Sequence, residues 1–415
     1  MNRSLALLLF AAACTDPSGS GPTEIKSNLP RDMNPAVTDT ELAELVTGNT
    51  AFAADLYRQV RTRPGNLFMS PHSISTTLAM TYAGAAGNTA TQMATALHFT
   101  LPPAKLHAAQ DALDLALASR AAAATGNTIP FRLKTASSIW GQQGKTFQPA
   151  FLDTLAVNYG AGLHVLDFAT DPDGSRDAIN GWVEDRTNDK IKDLLPDGSI
   201  TDLTRLVLTN AIYFSAAWDD PFEPAQTTDR AFLANGTQSV QVPTLYQNGA
   251  YGYAAGAGFR AAELPYDGNL LSMVVVVPDD LASFEASLDG AKLTQITSAL
   301  EPAAVDLTLP KFKFDAPLGL AEVLKNLGMT DAFGAAADLS GIDGTRDLVI
   351  TDVVHKGFVA IDEKGTEAAA ATAVIVGDTS APLPQTLHVD RPFLILIRDI
   401  PTGAILFIGR VVDPR

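Results

Sequence analysis

The chain is poor in cysteine and in basic residues. Its 415 residues include one cysteine, Cys14, which excludes an intrachain disulfide and a thiolate metal cluster. Lys and Arg number 29 against 46 Asp and Glu, so the net charge is −17. Because proteins that bind nucleic acid present a basic face to the phosphates, we expect no nucleic-acid partner.

The motifs of common enzymes are also missing. The sequence has no His-Glu-x-x-His, no Gly-x-Ser-x-Gly, no phosphate-binding glycine loop and no acidic calcium loop. Its six histidines are scattered, and no two are spaced as metal ligands on one helical face. We expect no metal, no cofactor and no enzyme, although a catalytic triad assembled in space would leave no such motif.

The amino terminus is typical of an export signal, predicted over 1–13. A nine-residue apolar run from Leu5 to Ala13 follows Arg3 and is too short to span a bilayer. The stretch Ala11-Ala12-Ala13-Cys14 resembles a bacterial lipoprotein cleavage box, with Ala11 in place of the preferred leucine. We expect an exported protein, extracellular or in the cell envelope, that is anchored to a bacterial membrane only through lipid on Cys14. The alternative is an ordinary cleaved signal.

Residues 14–37 are predicted to form a flexible tether, and 38–415 a single folded unit. Thr38 and Glu41 have the spacing of a capping box at a helix start, and Ser70-Pro71 begins a second helical pattern. From about 205 onward short β patterns dominate. Two apolar runs, 393–397 and 405–408, flank a turn and predict a hairpin buried on both faces. The fold class expected is α+β, because no linker divides the chain.

The segment 363–388 has mixed local propensities but a regular alternation. From Thr366 to Val376, one face of an extended strand carries only uncharged residues, and the other face carries a single charge, Glu367. The first face holds Thr366, Ala368, Ala370, Thr372, Val374 and Val376; the second holds Glu367, Ala369, Ala371, Ala373 and Ile375. Such a strip could enter a sheet without burying a charge. An exposed alanine-rich loop is the alternative.

Residues 354–371 closely resemble the reactive-loop hinge of the serpins in their inhibitory form. Further blocks similar to that family follow in family order across about 66–413. They are Asn66 to Ser75, Ile179 to Glu184 with Thr187 and Lys190-Ile191, Leu208 to Phe214 with Trp218 and Pro221-Phe222, Leu309 to Phe312, Asp338 to Gly341, and Asp390 to Val412.

The resemblance implies a serpin fold with a main sheet, two further sheets, eight or nine helices and an exposed reactive loop over 363–388. It also implies a suicide inhibitor, monomeric, whose partner is a serine protease held in a covalent acyl complex as the cut loop inserts into the main sheet. The implied hinge is Glu363, Gly365, Thr366, Glu367, Ala368, Ala369, Ala370 and Ala371. Ser70, Ser73, Asn210 and His355 match the shutter, where the sheet parts, and Trp218 matches the breach, where the loop enters.

The position of the cleaved bond follows from counting along the loop. Seventeen residues from Glu363 end at Thr379, which gives Thr379–Ser380. Counting back from Pro392 gives Ala381 instead, and Ser380–Ala381 and Val376–Gly377 also stay open.

The loop composition narrows the class of target protease. Between Gly365 and Asp390 there is no Lys, Arg, Phe, Tyr or Trp, which favours elastase-like or subtilisin-like proteases over trypsin-like ones. A cysteine protease target is one alternative. A non-inhibitory carrier or chaperone is another, and the small hinge residues argue against it. Activation by a polyanion is not expected, because residues 104–120 hold only Lys105 and Arg120 as basic residues.

Overall fold

The computed structural model describes residues 22–123, 131–366 and 384–415. Ten helices lie in these ranges: α1 (Asp39–Val60), α2 (Pro71–Tyr82), α3 (Gly87–Ala96), α4 (Pro103–Ser119), α5 (Pro149–Tyr159), α6 (Pro172–Arg186), α7 (Leu281–Ala286), α8 (Gly290–Ser298), α9 (Ala321–Asn326) and α10 (Ser340–Asp343). None of the helices in this part of the chain is both long and apolar enough to cross a membrane.

The strands of the same ranges are β1 (Thr23–Ile25), β2 (Leu67–Met69), β3 (Arg132–Gln142), β4 (Leu163–Leu166), β5 (Leu206–Ala217), β6 (Thr228–Ala234), β7 (Gln238–Gly256), β8 (Phe259–Pro265), β9 (Leu271–Pro278), β10 (Glu301–Pro310), β11 (Phe312–Gly319), β12 (Asp352–Asp362), β13 (Gly365–Thr366), β14 (Gln385–His388), β15 (Phe393–Asp399) and β16 (Ile405–Val411).

Two sheets organise these strands and confirm the α+β class. The main sheet has the order β1-β4-β3-β5-β13-β12-β11. The second has the order β14-β10-β7-β8-β9-β15-β16-β2, with β6 paired to β7. The two further sheets expected from the resemblance are thus hydrogen-bonded into one, because the long strand β7 pairs with β6 along its first part, with β10 along its middle and with β8 at its end.

Local signals account for several elements. The capping box at α1 is present, since the Thr38 hydroxyl accepts from the Glu41 N–H and a Glu41 carboxylate oxygen accepts from the Thr38 N–H. Ser70 caps α2, which begins at Pro71. The hairpin of β15 and β16 is buried along both strands, apart from half-buried Arg398. These three predictions are confirmed.

Two parts of the fold differ from the expectation. β-Structure was expected from about 205, yet β3 begins at Arg132 because it pairs with β5 over ten registered positions. Residues 22–37 belong to the predicted tether, but the structure packs them on the folded body. β1 pairs with β4, and the Asp32 N–H donates to the Val157 carbonyl. Both features depend on pairing with segments that are distant along the chain, so the local sequence pattern does not predict them.

The hydrophobic core has two parts, one on each face of the main sheet. The larger part fills the space between the two sheets and under α1 and α2. The smaller part lies between the main sheet and α6, around residues such as Trp140, Ile179 and Tyr213. Every residue of β5 is buried, as expected for a central strand covered on both faces.

Candidate functional site

The main sheet is divided at one end by a two-residue strand. β5 and β12 pair directly and in parallel from Val207–Asp352 to Tyr213–Phe358. Beyond that point β13 lies between them, antiparallel to both. Thr366 stands opposite Ala216 on one side and Ile361 on the other. The sheet is therefore already open at Gly365 and Thr366, the last residues that the structure describes before 384.

The register shows how the opening can continue. β5 and β12 keep the same register at both ends. The difference in residue number between Ala216 and Ile361, the two residues that flank Thr366, equals the difference between Val207 and Asp352, which face each other at the far end of the direct pairing. A strand that extended β13 would need β5 and β12 to separate sideways only. Neither strand would have to slide along its length.

Gly365 fits its position because it lacks a side chain. A Cβ at this residue would lie 2.1 Å from the Ala216 carbonyl oxygen and 2.8 Å from the Ala217 Cα. Its φ of 154° is also one that other residues seldom adopt. Glycine thus lets the backbone of the hinge approach β5 closely enough to pair.

An aromatic pair holds the next residue. Trp218 stacks on Tyr266 with ring centroids 4.7 Å apart, and the Tyr266 hydroxyl lies 2.8 Å from the Thr366 hydroxyl. The Trp218 indole N–H donates a hydrogen bond to the Asp362 backbone carbonyl. The Trp218 backbone N–H donates a hydrogen bond to the Lys364 backbone carbonyl. We call Trp218, Tyr266 and Thr366 the breach cluster, and Thr366 is 1% exposed within it.

A partly buried ion pair fixes the turn between β12 and β13. Lys311 Nζ lies 2.8 Å from a Glu363 carboxylate oxygen, and Thr227 donates a hydroxyl hydrogen bond to the same carboxylate. Burial alone would raise the pKa of Glu363, but the hydrogen bonds from Lys311 and Thr227 outweigh burial and lower it below its ordinary value. Glu363 is therefore charged at neutral pH.

The second group of predicted residues meets under the closed part of the sheet. Ser70, Ser73, Asn210 and His355, the shutter cluster, are all buried. His355 Nδ1 lies 2.6 Å from Asn210 Oδ1, and the Asn210 amide nitrogen lies 2.6 Å from the Ser73 hydroxyl. His355 and Asn210 are direct partners in the β5–β12 pairing, so this hydrogen bond joins the two strands that would separate.

The hydrogen bonds of His355 define its neutral form. The Ser70 backbone N–H donates to His355 Nε2 at 3.2 Å, so Nε2 accepts and Nδ1 carries the proton donated to Asn210. Burial lowers the pKa of His355 to about 3, even though the hydrogen bond with Asn210 opposes that shift. Protonation would place a second N–H against that of Ser70 and weaken the closed sheet.

The structure brings some predicted site residues together and does not reach others. Glu363, Gly365 and Thr366 lie at the top of the open sheet, beside Trp218. Residues of the predicted site that lie outside the described ranges are Cys14, Glu367, Ala368, Ala369, Ala370, Ala371, Thr379 and Ser380.

Three contributors were not singled out from the sequence. The sequence around Tyr266 contains no motif that predicts its contact with Trp218. Ser137 and Thr77 each lie within 3 Å of the Asn210 amide nitrogen. Thr77 could have been found, since it follows Ser73 by four residues on the same face of α2.

These features define a class of protein whose main sheet is open at one end, between β5 and β12, around a two-residue strand. A family model described as Serpin (serine protease inhibitor) matches residues 47–414. A leukocyte elastase inhibitor of Bos taurus is 38% identical over 386 residues, which cover 90% of this chain and all of the bovine protein. An uncharacterized serpin-like protein of Thermococcus kodakarensis is 35% identical over 99% of this chain and 97% of its own.

A solved structure of similar sequence has the same fold. Serpin48 of the insect Tenebrio molitor, described as a highly specific serpin, superposes with a TM-score of 0.80 at 32% identity. The match covers 90% of this chain and 98% of the insect chain. The chain belongs to the serpin family, whose members are in general protease inhibitors and not enzymes.

Proposed function

We propose that this protein is a suicide-substrate inhibitor of serine endopeptidases of the elastase-like or subtilisin-like kind. The observation that carries the proposal is β13, because Gly365 and Thr366 already occupy the strand position between β5 and β12. The leukocyte elastase inhibitors among its relatives support the same class of target.

The trapping chemistry is acyl transfer followed by strand insertion. The hydroxyl oxygen of the protease serine attacks the carbonyl carbon of Thr379 and forms an ester. The Thr379–Ser380 amide bond breaks, and the amine of Ser380 leaves with the proton. Once the loop is cut, its hinge side is free to extend β13 and to carry the attached protease away from the site of attack.

The register predicts where each inserted residue would arrive. Because the incoming strand is antiparallel to β12 and β5, each later residue of the loop would pair with a residue one position earlier in both strands. Thr372 would therefore lie between His355 and Asn210. Ile375 would reach Asp352 and Val207, the far end of the present direct pairing. Even-numbered residues would share the buried face of Thr366, and that face is uncharged from Thr366 to Val376. The next residue on this face is Asp378, one residue before the proposed cut.

The energy of insertion favours an irreversible trap. A strand of about a dozen residues adds about ten hydrogen bonds at roughly 1 kcal/mol net each. That total exceeds thermal energy many times over. Hydrolysis of the ester would have to occur before insertion to release an active protease.

The proposal includes the placement of the protein. The apolar run before Cys14 supports export, and Cys14 is the proposed lipid anchor to a bacterial membrane, with the folded part acting as a monomer. Labelling with radioactive palmitate, compared between the wild type and Cys14→Ser, tests the anchor. Label on the wild type alone is the expected result.

The experiment that tests inhibition is a denaturing gel. The mature protein is incubated with pancreatic elastase, subtilisin, chymotrypsin and trypsin, and the released carboxy-terminal peptide is weighed by mass spectrometry. A boiling-resistant adduct with elastase or subtilisin is expected, with a peptide that begins at Ser380. Complete cleavage without an adduct from any protease would contradict the proposal and favour a non-inhibitory serpin.

A peptide of another mass would move the cleaved bond without changing the mechanism. A stable adduct formed with papain and with none of the serine proteases would transfer the target class to cysteine proteases.

A further inference from the structure

An amino-terminal arm, residues 22–37, joins the main sheet at one particular end. β1 pairs antiparallel with β4, with Glu24 opposite His164. His164 is paired with Trp140 of β3, and Trp140 with Val207 of β5. Val207 lies at the end of the direct β5–β12 pairing that is farthest from the breach cluster. The arm therefore enters the folded body at the closed end of the main sheet.

The hinge of the proposed reactive loop lies at the opposite, open end. Thr366 stands opposite Ala216 of β5, nine residues along that strand from Val207. A strand rises by about 3.3 Å per residue, so the arm and the hinge are about 30 Å apart along the strands.

The arm is seated closely on the sheet edge. The Glu24 carboxylate accepts a hydrogen bond from the Gly162 N–H at 2.8 Å. A Cβ on Gly162 would lie 2.3 Å from the Ile25 carbonyl oxygen, so this glycine makes room for the arm. β4, β3 and β5 are neighbours in the main sheet on one side of the opening. The seat of β1 therefore does not depend on whether β5 and β12 separate.

Hydrogen bonds to α4 and α5 hold the arm beyond β1. Arg31 Nε donates to Asp111 at 2.7 Å, and another nitrogen of the same guanidinium donates to Asp114 at 2.6 Å. Burial raises the pKa of Asp111 to about 6, and the hydrogen bond from Arg31 opposes that shift. The Ser27 hydroxyl donates to an Asp153 carboxylate oxygen at 2.5 Å. The arm is thus attached from β1 to Arg31 by charged and polar contacts.

The attached arm limits how far the folded body can lie from Cys14. Pro22, where the described arm begins, follows Cys14 by eight residues, which span at most about 29 Å. With the arm detached, the body would begin at Asp39, and the same limit would be about 90 Å. The arm therefore keeps the closed end of the sheet close to Cys14.

We propose that the arm orients the membrane-anchored inhibitor, with the closed end of its main sheet toward the lipid surface and the reactive loop toward the solution. The partner that this arrangement fits is a soluble protease, because the hinge stands about 30 Å farther from the lipid than the closed end does. This inference rests on the proposed function, since it places the proposed lipid anchor and the proposed reactive loop relative to each other.

The register also predicts a change of orientation after trapping. Insertion would bring Ile375 level with Val207, so the cut end at Thr379 would emerge at the closed end, beside the lipid. A globular protease of about 200 residues has a radius of gyration of about 16 Å and is about 40 Å across, which exceeds the limit of about 29 Å. We expect the trapped complex to tilt, so that its open end comes nearer to the lipid.

The test measures energy transfer from a fluorophore on the protein to acceptor lipids in vesicles of phosphatidylcholine and phosphatidylglycerol. The lipidated protein carries the fluorophore either on Leu203→Cys at the closed end or on Ala225→Cys at the open end, both exposed positions. Leu203 precedes β5, and Ala225 lies two residues before Thr227, whose hydroxyl bonds to Glu363. The lipid occupies the sulfur of Cys14, the single native cysteine, so each variant has one free thiol.

Two variants release the arm, and each has a matched control. Arg31→Ala with Asp111→Asn removes the bond to α4 without leaving a buried carboxylate unpaired. Gly162→Ala blocks the seat of β1. Lys105→Ala is the charge control, because Lys105 forms its ion pair with α1 and not with the arm. Gly319→Ala is the glycine control, since no heavy atom lies near its added Cβ.

In the wild-type background, transfer from residue 203 should be at least twofold higher than transfer from residue 225. In both release variants, trypsin should cut after Lys26 at least fivefold faster on separate samples, and the twofold difference should disappear. Both controls should keep the difference. Addition of elastase to the wild type should reduce it in proportion to the adduct formed.

Equal transfer from the two positions in the wild type would overturn the orienting role of the arm and leave the anchor and the inhibitor intact. A difference that persists in a variant whose arm trypsin cuts readily would also overturn it. Protein that does not stay on the vesicles would show that the anchor fails, and the orienting role fails with it. Absence of an adduct with elastase would contradict the inhibitory function alone, because the first orientation is measured without protease.

Discussion

Thr366 lies in the main sheet, at the position where the proposed reactive loop would enter it. It is buried between Ala216 and Ile361, and its hydroxyl bonds to that of Tyr266. A charged side chain here would lose its hydration among Trp218, Tyr266 and the core behind them. The first step of insertion therefore depends on a small uncharged residue at this position.

We predict that Thr366→Arg converts the inhibitor into a substrate. The arginine keeps the hinge out of the sheet, so insertion slows and the ester is hydrolysed first. The ratio of cleaved protein to adduct on a denaturing gel should rise at least tenfold. Thr366→Val, which keeps the shape and loses only the hydroxyl, is the matched control and should still trap protease. Full trapping by Thr366→Arg would contradict the role of the breach cluster.

His355 makes the closed sheet sensitive to acid. Its pKa of about 3 in the folded protein lies below its ordinary value of 6.5, so the folded form binds fewer protons than the unfolded form. Its contribution is fully present above about pH 6.5 and is lost as the pH falls toward 3. Protonation of this one side chain costs on the order of 5 kcal/mol.

We predict that insertion of the uncut loop accelerates as the pH falls from 6.5 toward 4, and that His355→Gln flattens this dependence. The measurement is the loss of adduct-forming capacity after incubation at each pH. His107→Gln is the control, because burial also lowers the pKa of His107, to about 4, but that histidine lies on α4 beside Tyr159. A dependence that stays unchanged in His355→Gln would show that other groups open the sheet.

Among the elements, the turn from β12 into β13 sets how far the sheet is open. Glu363 in this turn bonds to Lys311, which follows β10, and to Thr227. The Glu363 backbone carbonyl also accepts from the Phe222 N–H at 2.7 Å. The turn is thus tied to three segments, and a change of charge here would loosen β13.

We predict that Glu363→Lys lowers the unfolding temperature and promotes self-association. Two ammonium groups would replace the ion pair, and release of β13 would leave unpaired edges on β5 and β12 that a second copy can join. Thermal unfolding and size-exclusion chromatography measure the two effects. The double variant Glu363→Lys with Lys311→Glu restores opposite charges. It should recover most of the unfolding temperature and most of the monomeric state. A Glu363→Lys protein that stays monomeric and stable would contradict this account of the turn.

Elements with local signals could be predicted, and elements made by distant pairing could not. α1, α2 and the hairpin of β15 and β16 follow from a capping box, a Ser-Pro start and a turn between apolar runs. β3 has a polar first half and is a strand because β5 lies beside it. β1 has three residues, and it forms because Gly162 leaves room for its carbonyl.

The site shows the same division. The resemblance predicted Ser70, Ser73, Asn210 and His355 as one group, and the structure brings them together. Tyr266 is distant in sequence from both Trp218 and Thr366, so its place between them could be found only in the fold. The partial insertion of Gly365 and Thr366 also had no sequence signal, although their small size permits it.

At the scale of the whole molecule, the proposed mechanism replaces the closed main sheet by one with more strand pairing. The parallel pairing of β5 with β12 would be exchanged for two antiparallel pairings with one new strand, at an unchanged offset between β5 and β12. About ten added hydrogen bonds correspond to roughly 10 kcal/mol. We expect cleavage of the loop to remove the connection that holds this exchange back.

The measurement that tests this claim most directly compares the unfolding temperature of the intact protein with that of the protein cut once in its loop by a trace of elastase. We predict that cleavage raises the unfolding temperature by about 10 °C, since the cut loop completes the main sheet and adds roughly 10 kcal/mol. Thr366→Arg should show a much smaller rise. An unfolding temperature that stays the same or falls after cleavage of the wild type would contradict the account, because it would show that the sheet does not take up the loop.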